Sequence, residues 1–265
     1  MKIFQFEMNQ YKSSTVVWSL SLALLIFFAL QTFSSMLPED TSSIALTLEG
    51  NPMMEALGMS VEHFFSPLGM YGYLNSFFML ACAIHAVNLG LSVITKEHMQ
   101  NTADFLMTKP FSRKQIYFSK IAAALCSELL IAAAYFIMSL AAVRISSGGN
   151  FTIVPFLLLY LMFPLVQIFF LMLGIMIGIL VSRIGSTFPI SMGIAFGLYV
   201  IGMYSGVVGS SFARSLSPFK YFNGNYIMNN TSYEGGYFLL YLILLVLFTG
   251  IGYIAYQKKD FKMVL

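Results

Sequence analysis

The sequence predicts an all-α membrane protein: six transmembrane helices, an N-terminal interfacial helix, and a short cytoplasmic helix between the second and third spans. Three observations predict it. The mean hydropathy of +0.79, with 58% hydrophobic and 9% charged residues, leaves too little polar surface for a soluble domain. Six apolar runs reach the length that reads as a spanning segment, about 18 residues with few or no charges. They are too long and too uniformly apolar for barrel strands, which alternate every second residue, so helices must satisfy the backbone in lipid. Finally, the basic residues sort by side. With six spans both termini share a side, together with Lys2, Lys12, Lys96, Lys109, Arg113, Lys114, Lys120, Arg183, Lys258, Lys259 and Lys262. The other side holds Arg144, Arg214 and Lys220. This asymmetry places both termini in the cytoplasm of a multi-pass plasma-membrane protein.

The elements follow in order. The chain reads as one transmembrane domain, residues 1–265. At the N-terminus Met1, Phe4, Met8 and Tyr11 recur at helical spacing, with Lys2, Glu7 and Lys12 elsewhere on the wheel and Ile3 and Phe6 broadening the apolar side. Such a segment is expected to lie flat at the interface. The first span covers 15–37. Its apolar run is long, and no small-x-small cleavage pattern follows before Pro38, so it reads as retained rather than as a signal peptide. The loop from 38 to 66 carries Glu39, Asp40, Glu49, Glu55 and Glu62 and no Lys or Arg, as an outside loop can. The remaining spans are expected at 67–95, 117–143, 151–181, 187–208 and 236–256. Residues 209–235, rich in Gly, Ser, Asn and aromatics, read either as short helices dipping toward the membrane or as an ordinary capping loop. Cys82 and Cys126 lie inside apolar runs and read as small buried hydrophobes, not a disulfide framework.

Within the spans, Gly174-x-x-x-Gly178, Gly193-x-x-x-Gly197 and Gly202-x-x-x-Gly206 are small-xxx-small pairs that let backbones approach closely, within a subunit or at a dimer seam. Pro155, Pro164 and Pro189 are expected to kink the later helices. Glu128 stands out. It lies eight residues beyond Lys120 in the third span, roughly 12 Å deeper at 1.5 Å per residue. A carboxylate there must be paired, protonated or wet. His85 in the second span is its natural partner. The pair reads either as part of a substrate path or proton relay, or as a buried hydrogen bond between helices.

Catalytic signatures are missing. The chain has no G-x-x-x-x-G-K-[ST], so it holds no nucleotide through a P-loop. It has no H-E-x-x-H and no paired Cys or His at metal spacing. It reads as a non-enzyme without a metal, a directly bound cofactor or a nucleic-acid partner, and with membrane lipid around it.

One stretch breaks the apolar pattern. Residues 96–115, KEHMQNTADFLMTKPFSRKQ, gather Lys96, Glu97, Asp104, Lys109, Arg113 and Lys114. As a helix, 98–107 sets Met99, Ala103, Leu106 and Met107 on one side and Gln100, Asn101 and Asp104 on the other. Pro110 ends that helix by excluding helical geometry before it, and Ser112 can cap the helix that re-enters the membrane. An apolar stripe with Phe105, set among charges, reads as a docking surface for a cytoplasmic partner. Lys96, Lys109 and Lys114 read as facing lipid phosphate.

The same stretch resembles the signature of ABC-2 type exporter permeases. That family has a Glu after the second span, then Gly-Thr, an acid, a leucine pair, a proline, Ser-Arg and a later lysine. Here the positions are Glu97, Asn101-Thr102, Asp104, Phe105-Leu106, Pro110, Ser112-Arg113 and Lys120. Asn101 replaces the usual glycine and Phe105 a leucine. The resemblance implies a membrane permease subunit, paired with an identical or related one, on which separate cytoplasmic ATPase subunits dock; ATP and Mg would be held by those partners. Residues 98–107 would form the coupling helix. Glu97 and Arg113 would tie it to its neighbours, and Phe105, Leu106 and Pro110 would supply apolar docking and the bend. The cargo is left open, an amphipathic or peptide-like molecule suiting the aromatic-rich spans. Two other readings remain at this point: a proton-driven secondary transporter using Glu128 and His85, and a non-transport assembly protein that docks a signalling partner.

Overall fold

The computed structural model describes residues 2–36, 61–100, 111–181 and 184–258. Among these residues all regular structure is helical. The long helices are α1 (Lys2–Met36), α3 (Pro67–Met99), α4 (Arg113–Ser146), α5 (Ile153–Leu180), α6 (Thr187–Val208) and α9 (Gly235–Lys258). Each is long and apolar enough to cross a membrane. Short helices α2 (Val61–Phe64), α7 (Ser211–Leu216) and α8 (Gly224–Asn230) and a 3-10 turn (Pro218–Lys220) lie at the opposite end from the termini.

The expected N-terminal segment is continuous with the first span, forming one helix from Lys2 to Met36. The sequence offers no Gly or Pro in that stretch to break it. Likewise α3 runs on past residue 95 to Met99 and α4 starts at Arg113 rather than near 117. Charges that read as the ends of spans are accommodated inside the helices, because other charges meet them. Ser112 caps α4: its side chain accepts from the Gln115 backbone N–H, and the Gln115 side chain accepts from the Ser112 N–H. This reciprocal box satisfies two orphan donors.

Helix α1 packs along α4, both running the same way. Its buried stripe of Leu22, Ala23, Ile26 and Leu30 has the 3–4 spacing of one helical face. At the far end Gln31 donates to the Ala142 carbonyl at 3.0 Å and to Ser146 Oγ at 3.2 Å. Helix α3 is central, packing on α1, α4, α5 and α6. Its closest neighbour is α5. A Cβ at Gly174 would lie 2.6 Å from the Val87 carbonyl oxygen, and one at Gly90 2.5 Å from that of Leu171. Gly178 sits over Leu91 and Ile94. Glycine is required here because two backbones touch. Pro164 lies inside α5.

The other glycine pairs behave differently. No atom of the described residues lies within 4 Å of a Cβ built at Gly193 or Gly197, so these two do not pack helices within the subunit. They sit on the outward face of α6, where Met192, Phe196 and Val200 are also exposed. Gly202 is buried, but against Ser217 and Lys220 of the distal loop rather than against a helix. Gly206 is half-buried one turn further on. Cys82 is buried and Cys126 partly so, both as free thiols.

Overpacking a close backbone contact costs about 1–3 kcal/mol. Gly174→Val is therefore expected to lower the unfolding midpoint in a thermal or SDS titration, whereas Gly236→Ala, in open space, leaves it unchanged. Equal midpoints would refute glycine-mediated packing of α3 on α5.

Candidate functional site

The helices bring polar groups together at three levels. At the end that carries the termini, four charges from three helices form one cluster. Lys96 of α3 pairs with Glu7 of α1 and donates to Gln10 Oε1. Lys120 of α4 pairs with Glu97 of α3, lies 3.3 Å from Glu7, and donates to the Val93 carbonyl at 2.7 Å. Glu7 and Lys120 are each 2% exposed. Two acids and two bases sum to zero, which is what permits charge at that burial. Lys96 also lies 5.0 Å from the centre of the Tyr11 ring, a cation–π geometry.

Two expectations change here. Lys96 does not face lipid phosphate; its ammonium is committed to Glu7 and Gln10. Glu7 does not lie elsewhere on the wheel. Phe4, Glu7, Met8 and Tyr11 are spaced i, i+3, i+4 and i+7 and share one helical face, with Glu7 its most buried member. A carboxylate on the inward face of an otherwise apolar stripe was the available signal. Arg113, at the other end of the polar insertion, donates from Nη1 to the Gln257 carbonyl of α9 at 3.1 Å. The rings of Tyr117 and Tyr256 lie 4.9 Å apart beside it. Thr102, Asp104, Phe105, Leu106 and Pro110, and most of the 98–107 coupling segment, lie outside the described residues.

Deeper in the bundle, His85 and Glu128 meet as the sequence proposed. His85 Nδ1 is 3.0 Å from Glu128 Oε1, so the two atoms share a hydrogen bond. Gln167 of α5, which the sequence did not single out, donates to Glu128 Oε2 at 2.8 Å. The Trp18 ring of α1 lies 4.9 Å from the His85 ring. Both carboxylate oxygens are thus held, α3, α4 and α5 meet at one acid, and α1 reaches it through His85. A second buried link lies nearer the distal end: Tyr135 donates to Asn75 Oδ1 at 2.9 Å, and Asn75 donates to the Leu159 carbonyl at 2.8 Å. These bonds supply the partners that lipid cannot.

At the distal end the loop between α6 and α9 folds into short helices packed over the bundle. Ser217 donates to the Leu198 carbonyl at 2.8 Å and Tyr233 to that of Leu158 at 2.7 Å. Phe219 packs on Phe170 and Tyr199. Arg214 pairs with Glu234, donates to the Lys220 carbonyl at 3.2 Å, and lies 3.9 Å from the Tyr237 ring centre. Under this cap lies a cavity of about 60 Å³, lined by α3, α5, α6 and the loop. Burial first, and then the Arg214 charge, lower the Lys220 ammonium from its ordinary range to about 8.

Six spanning helices, polar groups paired inside the bundle, and charge gathered at the helix ends define a multi-pass membrane protein. The profile of the family described as "ABC-2 family transporter protein" matches residues 1–261, and the chain belongs to that family. Searches of curated proteins and of solved structures find no match to it.

Removing one member of a buried charge cluster costs about 3–5 kcal/mol, because its partner is left alone. Glu7→Ala is expected to destabilise by that order in chemical unfolding, and Glu7→Leu combined with Lys96→Met to recover more than half of it. A double variant no better than the single one would show that the two side chains are not coupled. For Lys220, carbon-13 NMR of the reductively methylated protein should show one lysine signal with a midpoint near 8, absent in Lys220→Arg; a set of signals all titrating near 10 would refute the burial of that amine.

Proposed function

We propose that the chain is the membrane permease subunit of an ATP-driven exporter in the plasma membrane, with both termini cytoplasmic. Separate cytoplasmic ATPase subunits hold ATP and Mg, and a second permease subunit, a copy or a relative, completes the path. The cargo is amphipathic or peptide-like. The observation that carries this reading is how the two ends of the polar insertion are anchored. Glu97, at its start, is bound to Lys120 of α4, in a cluster that also includes Glu7 of α1. Arg113, at its end, is bound to α9. A push on residues 98–112 from a docked ATPase therefore reaches α1, α3, α4 and α9 together. Charge-assisted contacts are stiff enough to transmit it, and family membership supports an ATPase as the source of the push. The apolar side chains Phe105 and Leu106 then serve as the docking knobs, with Thr102, Asp104 and Pro110 shaping the segment.

The secondary-transporter reading draws on the His85–Glu128 contact. Gln167 holding the other carboxylate oxygen favours a structural role for that acid, joining α3, α4 and α5.

The deciding experiment is affinity purification of the chain from its own host membrane. An ATPase subunit is expected to co-purify, and Phe105→Asp or Leu106→Asp to reduce its recovery at least ten-fold. No ATPase, or full recovery with both substitutions, sinks the reading. Transport stopped by an uncoupler and by Glu128→Gln, without ATPase, would establish the proton-driven alternative.

A further inference from the structure

We propose that a groove beside the first turn of α4 binds one anionic phospholipid from the leaflet on the side of the termini, with its phosphate on Lys114 and an acyl chain along the outward face of α4. The inference goes beyond the export reading and does not rest on it, since it concerns lipid rather than the ATPase or the cargo.

Helix α4 begins with the charges that a helix start disfavours. Arg113 and Lys114 lie in its first turn, and no acid does. The N–H groups there carry partial positive charge, so two bases add to it and an anion offsets it. The described residues supply no such anion. Glu7 and Glu97, the described acids of that end, are bound to Lys96 and Lys120. Arg113 is committed to the Gln257 carbonyl. Lys114 is exposed and has no hydrogen bond or ion pair to another described side chain.

Lys114 lines a groove of about 380 Å³ together with Ile3, Phe111, Gln115, Phe118 and Ser119. That volume lies in the range of ligand sites, about 300–1,000 Å³. The Gln115 side-chain oxygen is used in the cap of α4, which leaves its amide N–H groups as donors, with the Ser119 hydroxyl and the Lys114 ammonium in the same wall. Beyond Ser119 the face turns apolar. Phe118, Ala122, Leu125 and Leu129 follow at i, i+4, i+7 and i+11 on one side of the helix, and Phe118, Ala122 and Leu129 are exposed. Alanine between larger side chains leaves a furrow. The stripe is about 16 Å long at 1.5 Å per residue, and one leaflet's share of a hydrocarbon core of about 30 Å is about 15 Å. Its level is marked by Tyr253 of α9, whose ring lies 5.6 Å from that of Tyr117 and 5.7 Å from that of Phe118. Aromatic rings of this kind sit at the headgroup boundary, and Lys114 is one turn from them toward the start of α4. A cation with two polar donors, followed by an apolar stripe of one-leaflet length, matches a phospholipid. An acidic protein surface would match Lys114 but not the stripe.

The test uses the full-length protein in nanodiscs of phosphatidylcholine. The probe is a trace of phosphatidylglycerol whose acyl chain carries a diazirine near the ester. Saturable labelling is expected between Phe118 and Leu125. The matching phosphatidylcholine probe should label about five-fold less, the worth of one lysine near an anionic headgroup. Lys114→Gln should lose as much, while Lys114→Arg keeps it. Lys12→Gln, at an exposed lysine of α1 outside the groove, should leave labelling unchanged. Ala122→Trp fills the furrow and keeps the charge; it should abolish labelling, and it decides the matter if Lys114→Gln does not fold. Equal labelling by the phosphatidylcholine probe, labelling confined to other residues, or competition by inorganic phosphate as strong as that by phosphatidylglycerol overturns the proposal. Co-purification of the ATPase is measured on the same variants. Loss of the ATPase with Lys114→Gln, without any loss of labelling, would give the groove to that partner and sink the inference. Labelling as expected in protein that binds no ATPase sinks the export reading alone.

Discussion

Four charges that cancel at the end of the bundle bearing the termini are the interaction on which the rest of the arrangement depends. Glu7, Lys96, Glu97 and Lys120 come from three helices, and none could be buried there alone, since an isolated ion in a low-dielectric interior costs several kcal/mol. Their mutual need fixes the register of α1 and α4 against α3. It also lets α3 and α4 extend past the apolar limits of their spans, so that the polar insertion starts and ends on rigid helices.

Above that cluster, packing is set by absence of side chain. Gly90, Gly174 and Gly178 bring α3 and α5 into backbone contact, and in lipid such close van der Waals approach stands in for the hydrophobic drive available in water. The gap between α3, α4 and α5 is then narrow enough that Glu128 can be held by His85 on one side and Gln167 on the other. Trp18 of α1 lies against the His85 ring. Helices α3 and α5 are the most buried of the six, and α1, α6 and α9 form the periphery.

The two ends of the bundle have different chemistry. At the terminal end, charges are matched to one another. At the distal end, short helices and aromatic rings form a cap over a small cavity with a mixed polar and apolar lining. The Lys220 amine there is perturbed by burial; the terminal end instead spends its charges on one another.

Composition and hydropathy by themselves determined the six helices and their order, because satisfying backbone groups in lipid leaves no alternative to helices for runs this long. The depth of Glu128 and its partner His85 were legible for a related reason, since a charge inside a span must find one of few polar partners. Ser112 as a cap was legible from local spacing. The packing role of Gly174 and Gly178, but not the outward placing of Gly193 and Gly197, was also legible. A small-xxx-small pair shows that close approach is possible, whereas which face meets a neighbour is set by the whole bundle. Tertiary structure alone decided that Glu7 and Lys96 belong to one buried cluster, that Gln167 completes the Glu128 site, and that Lys220 lines a cavity. Each of these joins residues distant in sequence, 89 positions apart for Glu7 and Lys96 and 39 for Glu128 and Gln167, and only the packing of the whole bundle brings them together.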